Sequence, residues 1–130
     1  MRTVLVVDDE FGVAEVLEAI LQDEGYRVVT AINGRQGLER AAETPPDLIM
    51  LDLMMPIMGG AATLAALRAE PRFRQVPVIL MSSLDEATAR ESCSGFQAFL
   101  RKPFRIAEML PVLERLVDAG EPVPGDRAGA

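Results

Sequence analysis

Five short aliphatic runs, separated by stretches with helical periodicity, constrain the fold of this chain most. They occupy residues 3–7, 27–31, 47–52, 78–81 and 98–100. Runs of β-branched and aliphatic residues are typical of strands buried on both faces of a sheet. Strands that alternate with helices predict right-handed βαβ crossovers and a parallel sheet covered by helices on both sides. The sequence therefore predicts a single α/β domain.

Five helices are predicted between and after these strands. Apolar residues at three- and four-residue spacing mark helices over residues 12–24, 38–42, 61–69 and 106–117. The polar segment 85–92 is long enough for only two helical turns, so the fourth helix is predicted to be short or irregular. Pro111 lies in the last helix, and we place it close to the first turn, where proline is tolerated.

The composition changes at Ala119, after which Gly, Pro and Ala replace the core-forming pattern. A segment without regularly spaced apolar residues cannot pack onto a core, so it predicts a mobile tail or a truncated linker. We therefore expect a globular domain over residues 1–118 and a flexible tail over residues 119–130. This ending is compatible both with a stand-alone protein and with a domain cut from a longer chain.

Charge and residue content argue against several classes of function. The chain has 13 Lys and Arg against 20 Asp and Glu, and this net charge of −7 argues against direct nucleic-acid binding. Its single cysteine, Cys93, and its lack of histidine exclude an internal disulfide, a Cys/His zinc site and catalysis by histidine. No apolar run approaches the roughly 20 residues that span a bilayer, and no signal peptide opens the sequence. We expect a cytoplasmic protein without a membrane contact.

Polar side chains follow four of the five predicted strands. Asp8 and Asp9 follow the first strand, Asp52 ends the third, Ser82 follows the fourth and Lys102 follows the fifth. The carboxyl ends of parallel strands meet at one edge of a sheet, where ligands of such folds bind. These side chains are therefore predicted to form one polar pocket.

Three carboxylates in one pocket need a cation. At an effective dielectric of about 20, two unit charges 4 Å apart repel by roughly 4 kcal/mol. Oxygen ligands without sulfur or imidazole favour Mg²⁺, which often shares its ligand shell with phosphate oxygens. Ser82 can donate a hydrogen bond to such a phosphate, and Lys102 can neutralise its charge. The pocket is suited to a phosphoryl group.

The motifs Val7-Asp8-Asp9-Glu10, Asp52-Leu53-Met54-Met55-Pro56, Ser82-Ser83 and Lys102-Pro103-Phe104 occur in this order. Together they resemble the receiver domains of two-component response regulators of the chemotaxis type, from about residue 2 to residue 118. The resemblance implies a flavodoxin-like, doubly wound sheet of five parallel strands in the order 2-1-3-4-5, with five helices. It also implies a protein that regulates others by contact rather than an enzyme.

The resemblance assigns a role to each residue of the pocket. Asp52 would be the phosphoacceptor, taking a phosphoryl group from phosphohistidine on a histidine kinase or a histidine phosphotransfer protein. Asp9, Asp52 and the backbone carbonyl of Met54 would bind Mg²⁺ directly, and Asp8 mainly through water. Lys102 would contact the phosphoryl oxygens. The downstream protein target is not implied.

The resemblance also assigns a switch and two residues that flank the phosphoryl group. Ser82 would move toward the new phosphate, and Phe99 would swing into the space that this movement vacates. Met54 and Leu84 stand at positions that influence hydrolysis of the phosphoryl group. Because neither side chain can hydrogen-bond an attacking water, we expect a relatively long-lived acyl phosphate.

Three features concern local structure. Gly59 stands where the family often has Asp, so we expect the third helix to lack a side-chain N-cap. Ser82 and Lys102 are twenty residues apart, two fewer than is typical, and the deficit falls at the fourth helix. A shorter fourth helix disfavours the usual dimerisation through strand five and its neighbouring helices. By the same resemblance, the Lys102-Pro103 bond is expected to be cis.

Two other functions remain open at this point. One is a receiver-like interaction module that works without phosphorylation. The other is a haloacid-dehalogenase-type phosphohydrolase, which also uses a nucleophilic Asp, Mg²⁺ and Lys. That chemistry needs a second Asp two residues after the nucleophile, and here that position is Met54.

Overall fold

The computed structural model describes residues 1–120, which form five strands and five α-helices in alternation. The strands are β1 (Thr3–Val7), β2 (Arg27–Ala31), β3 (Leu48–Asp52), β4 (Val78–Ser82) and β5 (Ala98–Arg101). The helices are α1 (Phe11–Asp23), α2 (Gly34–Glu43), α3 (Gly60–Ala69), α4 (Glu86–Ser92) and α5 (Ile106–Gly120), and a 3₁₀ turn (Pro71–Phe73) precedes β4. Every predicted strand and helix is present.

The five strands form one parallel sheet in the order β2-β1-β3-β4-β5. The predicted flavodoxin-like order is confirmed. The order reverses between β1 and β3, where Val7 pairs with Leu51. The residues that follow this pair in the two strands, Asp8 and Asp52, consequently lie side by side at the carboxyl edge of the sheet.

Helices cover both faces of the sheet because alternate strand residues point to opposite sides. On one face, Val4 and Val6 of β1 belong to a buried cluster with residues of α1 and α5, such as Leu17 and Leu113. On the other face, the buried cluster contains Leu5 and Val7 with residues of α2, α3 and α4. All residues of β1, β3 and β4 are buried. The sheet is therefore a rigid base for the residues at its carboxyl edge.

The helix ends show where sequence patterns were incomplete. Helix α2 begins at Gly34, four residues before the predicted start, because the Asn33 side chain accepts a hydrogen bond from the Gln36 backbone N–H. Helix α3 begins after Gly59 without a side-chain cap, as expected. Helix α4 has seven residues, and its length agrees with the predicted short fourth helix.

Helix α5 differs from its prediction in two ways. Pro111 is the sixth residue of the helix and so lies in the second turn, not close to the first. Because Pro111 has no backbone N–H, the Ala107 carbonyl lacks its usual hydrogen-bond donor. Both residues are exposed, so water can bind that carbonyl and the helix continues through Pro111. The helix also extends to Gly120, beyond the predicted domain end at residue 118. The rest of the predicted tail, residues 121–130, lies outside the described residues.

Two further observations concern the helices and one peptide bond. Within residues 1–120, none of the helices has both the length and the apolar character needed to cross a membrane. The Lys102-Pro103 peptide bond is cis, as expected.

Candidate functional site

Three carboxylates meet at the carboxyl edge of the sheet. Asp8 follows β1, Asp9 is next in the chain, and Asp52 is the last residue of β3. One carboxylate oxygen of each lies within 4.8 Å of the others. Asp8 is fully buried and Asp52 is 4% exposed, whereas Asp9 is exposed. The set has only oxygen donors, and its chemistry fits a hard divalent cation such as Mg²⁺.

Lys102 supplies a positive charge to this cluster from the end of β5. Its Nζ lies 2.8 Å from Asp8 Oδ2 and 3.4 Å from Asp52 Oδ2. It also lies 3.2 Å from Glu10 Oε1, a contact that the sequence patterns do not predict. The only sequence signal for Glu10 is its position next to Asp8 and Asp9. Its ion pair with Lys102 depends on how far its exposed side chain reaches, which the sequence does not show. The lysine thus serves as an internal counter-ion for the acidic cluster.

The environment of Asp52 makes its negative charge costly. The pKa of Asp52 is raised to about 7, chiefly by burial and further by the nearby charge of Asp8, while Lys102 opposes both effects. Burial also lowers the pKa of Lys102, but its hydrogen bond to Asp8 and the charge of Asp52 outweigh burial, so the net shift is upward. A carboxylate with a pKa near neutrality gains from any further cation placed beside it.

Backbone contacts fix the Asp8 carboxylate and the chain that follows Asp52. The Asp8 carboxylate accepts a hydrogen bond from the Glu10 backbone N–H at 2.9 Å. After Asp52, the Gly60 N–H donates to the Leu53 carbonyl at 2.9 Å. A Cβ at Gly60 would collide with the Asp52 carbonyl and lie 2.7 Å from the Leu53 Cα. Glycine is therefore required here for the first turn of α3 to approach the end of β3.

Ser82 lies beside Lys102 but does not line the open groove. Its side chain is buried, and its Oγ accepts a hydrogen bond from the Leu84 backbone N–H at 3.0 Å. Its carbonyl accepts from the Lys102 backbone N–H at 2.7 Å. The neighbouring Ser83 lines the open groove instead. Since the Oγ is an acceptor in this contact, its proton is free to be donated elsewhere.

Phe99 lies on β5, on the same face of the sheet as Ser82. The register pairs Leu80 with Phe99 and Ser82 with Arg101, so that Phe99 stands one pair away from Ser82 along that face. Its half-buried ring packs against the core, with its centroid 6.5 Å from that of Phe96. The two residues of the expected switch are thus brought together on one face.

Met54 borders the site with an apolar side chain, and Leu84 lies in the loop after β4. Met54 is 64% exposed and lines the groove, and Leu84 is 37% exposed. Each follows a residue of the predicted site, Asp52 or Ser82, by two positions. Neither side chain presents an oxygen or nitrogen atom to solvent near Asp52.

An open groove of about 720 Å³ runs from the acidic cluster along α1. Its apolar lining comes from α1 and from the segment after β5, and includes Val13, Val16, Leu17, Phe104 and Ile106. Val16 is part of the apolar spacing that predicts the first helix, yet this residue is 56% exposed. Periodicity identifies the apolar stripe of a helix but does not show where the sheet beneath it ends.

The chain matches known proteins over most of its length. Residues 4–114 match the family model described as the response regulator receiver domain. The chain is 34% identical to protein PilG of Pseudomonas aeruginosa, over 92% of this chain and 90% of PilG. It spans about half the length of longer curated relatives, 52% of one and 49% of another.

Solved structures give the same result. The chemotaxis response regulator CheY4 of Vibrio cholerae is similar with a TM-score of 0.84 at 30% identity, over 89% of this chain and 98% of that chain. The receiver domain of the sensor histidine kinase PA1611 of Pseudomonas aeruginosa, with a magnesium ion coordinated in its active site cleft, is similar with a TM-score of 0.83 at 31% identity, over 90% and 98%. The resemblance seen in the motifs is confirmed. This chain belongs to the response regulator receiver domains.

Proposed function

We propose that this receiver domain accepts a phosphoryl group on Asp52 from the phosphohistidine of a histidine kinase or a histidine phosphotransfer protein. Receiver domains of response regulators are phosphorylated by histidine kinases and act as regulators rather than as classical enzymes. The observation that carries the assignment is the position of Asp52, which is buried beside Asp8 and Asp9 and lies 3.4 Å from Lys102.

Mg²⁺ fits the same residues. Receiver domains bind Mg²⁺ at an acidic site, and the PA1611 receiver domain holds a magnesium ion in its cleft. In this chain Asp9, Asp52 and the carbonyl of Met54 would hold the ion, with Asp8 mainly acting through water. When bound, Mg²⁺ supplies positive charge that offsets the crowding of the carboxylates and of the phosphoryl oxygens.

The transfer step needs little from the protein besides position and charge. An Asp52 carboxylate oxygen forms a bond to phosphorus, the phosphorus–nitrogen bond of the phosphohistidine breaks, and the leaving imidazole keeps the electron pair. Lys102 then shifts its charge from Asp8 and Asp52 toward the phosphoryl oxygens. At most, this chain catalyses its own phosphorylation and dephosphorylation.

The response to phosphorylation would start at Ser82. Its hydroxyl proton is not used in the contact with the Leu84 N–H, and a phosphoryl group on Asp52 offers it a charged acceptor. Movement of Ser82 would open space on the sheet face that it shares with Phe99, and the ring would follow. Phosphorylation would thus shift the equilibrium between two arrangements of β4 and β5.

The output is proposed to be a contact with another protein. The net charge of −7 disfavours direct binding to nucleic acid, and the location would be the cytoplasm, where the phosphodonor is presented. The functional unit would be the receiver domain, whose last helix reaches Gly120, two residues beyond the domain end expected from the sequence.

The test is incubation with acetyl phosphate and Mg²⁺, followed by intact mass measurement. We expect the wild type to gain about 80 Da, the mass of one phosphoryl group, and Asp52→Asn to gain nothing. Asp23→Asn, the same change at an exposed position at the end of α1, is the matched control and should gain the same mass as the wild type. A wild type without a gain would favour an interaction module, and steady hydrolysis of phosphate esters would favour a phosphohydrolase.

A further inference from the structure

Ile57, in the loop between β3 and α3, is both strained and exposed. Its φ is 70°, in the left-handed region, and its side chain is 78% exposed. This backbone conformation is unfavourable for a β-branched residue, and an isoleucine in water gains nothing from burial. Strain of this kind points to a function at the site where it occurs. A contact made outside the chain would give this side chain a role.

Ile57 borders a surface groove between α2 and the loop that contains it. The groove has a volume of about 480 Å³ and is lined by Arg35, Leu38, Glu39, Ile57 and Met58. The loop is held against the start of α2, because the Gly34 N–H donates to the Met58 carbonyl at 3.0 Å. The groove is thus a fixed feature with an apolar centre and two charged residues.

The two charged residues are arranged so that the surface complements itself. Arg35 and Glu39 are exposed and lie one helical turn apart on α2, on the face that carries Leu38. Among residues 1–120, neither lies within ion-pair distance of an opposite charge. A two-fold axis perpendicular to α2 and midway between these two residues would place the α2 helix of a second copy antiparallel to the first. Arg35 of each copy would then face Glu39 of the other.

We propose that this surface, formed by Arg35, Leu38, Glu39, Ile57 and Met58, is a contact between two copies of this chain. Ile57 of each copy enters the groove of the other, and two ion pairs close the sides. The contact lies on the α2 side of the molecule, away from the short helix α4. Because this surface has only five residues on each copy, against about 20–30 a side in stable complexes, the dimer is weak and depends on concentration.

Sedimentation equilibrium tests the proposal with charge-swapped variants. We expect the wild type to dimerise at high micromolar concentration. Arg35→Glu and Glu39→Arg should each weaken association by about tenfold, because each places like charges opposite one another. The double variant Arg35→Glu/Glu39→Arg restores opposite charges, and its dissociation constant should return to within about threefold of the wild type.

Two further variants separate a lost contact from a damaged fold. Ile57→Asn replaces the apolar side chain with one that tolerates the left-handed region, so the domain should be at least as stable but should associate more weakly. Arg115→Glu, the same charge change on the exposed face of α5, should dimerise like the wild type. A wild type that stays monomeric at millimolar concentration would overturn the proposal. So would a double variant that is as weak as the single ones, or an Ile57→Asn variant that dimerises normally.

Discussion

The ammonium group of Lys102 lies 2.8 Å from the carboxylate of Asp8, which is fully buried. A buried carboxylate without a partner is costly, so this ion pair holds the acidic cluster together before any metal binds. The same ammonium group reaches Asp52 at 3.4 Å. Lys102 therefore has two roles, as a counter-ion for the carboxylates and, in the proposed transfer, as a contact for the phosphoryl oxygens.

Removal of this counter-ion should destabilise the domain and make it more dependent on Mg²⁺. Lys102→Met leaves the buried Asp8 unpaired, and loss of one partner of a buried ion pair costs about 3–5 kcal/mol. Mg²⁺ can replace the missing charge, so the rise in Tm with added MgCl₂ should be larger for Lys102→Met than for the wild type. Thermal unfolding by circular dichroism measures both. An equal or smaller Mg²⁺ effect in the variant would contradict the counter-ion role.

The stability of the metal-free domain should rise as the pH falls through neutrality. The pKa of Asp52 is about 7 in the folded state and ordinary in the unfolded chain. The folded state thus binds the extra proton, and its stabilising effect is present at low pH and lost as the pH rises through about 7. Between pH 8 and pH 6 this linkage amounts to about 1 kcal/mol. Urea unfolding without Mg²⁺ measures it.

Asp52→Asn is the control for this pH dependence. The amide cannot titrate, so the gain between pH 8 and pH 6 should largely disappear in the variant. Saturating Mg²⁺ should suppress the gain in the wild type in the same way, because it stabilises the ionised carboxylate. An unchanged pH profile in Asp52→Asn would assign the titration to another group.

The sequence predicted the sheet and its acidic edge because both depend on short local patterns. The aliphatic runs of β1, β3 and β4 are buried on both faces of the sheet, and such runs have few other structures open to them. The carboxylates of Asp8 and Asp52 meet because parallel strands end at one edge, which is a property of the topology and not of side-chain detail. Glu10 was missed since its contact with Lys102 depends on the reach of an exposed side chain.

Arg68 shows a second limit of sequence patterns. It lies in an Ala- and Leu-rich helix, where a single arginine is most simply read as a solvent-facing residue. In the structure it donates to backbone carbonyls of the loop before β4 and of the loop between α4 and β5, which are distant from each other in sequence. No periodic pattern predicts them, because they follow from how two loops meet.

The phosphoryl group on Asp52 should be long-lived because of Met54 and Leu84. Neither side chain can position a water molecule by a hydrogen bond. The double variant Met54→Asn/Leu84→Glu adds polar groups at both positions and should shorten the lifetime by about tenfold, the effect of one hydrogen bond in the transition state. Loss of the mass increment over time after removal of acetyl phosphate measures the lifetime. A wild type that loses its phosphoryl group faster than the double variant would disprove this expectation.

Arg68 should be one of the most sensitive positions outside the site. Its guanidinium donates to the carbonyls of Phe73, Val76 and Gly95, at 2.9, 2.8 and 2.7 Å, and to the Gln97 side chain. It therefore links α3 to the loop before β4 and to the loop between α4 and β5. Arg68→Ala leaves these carbonyls without their charged donor and should cost about 2–4 kcal/mol of unfolding free energy.

Arg68→Lys separates charge from geometry in this cluster. An ammonium group keeps the charge but cannot donate to several carbonyls in a planar fork, so it should recover less than half of the loss. Arg40→Lys is the matched control, because the Arg40 side chain is 43% exposed and its ion pair with Glu43 at 3.6 Å contributes little. Urea unfolding of the three variants gives the comparison. A lysine at position 68 that restores full stability would show that charge alone holds the two loops, and that the fork of hydrogen bonds is not needed.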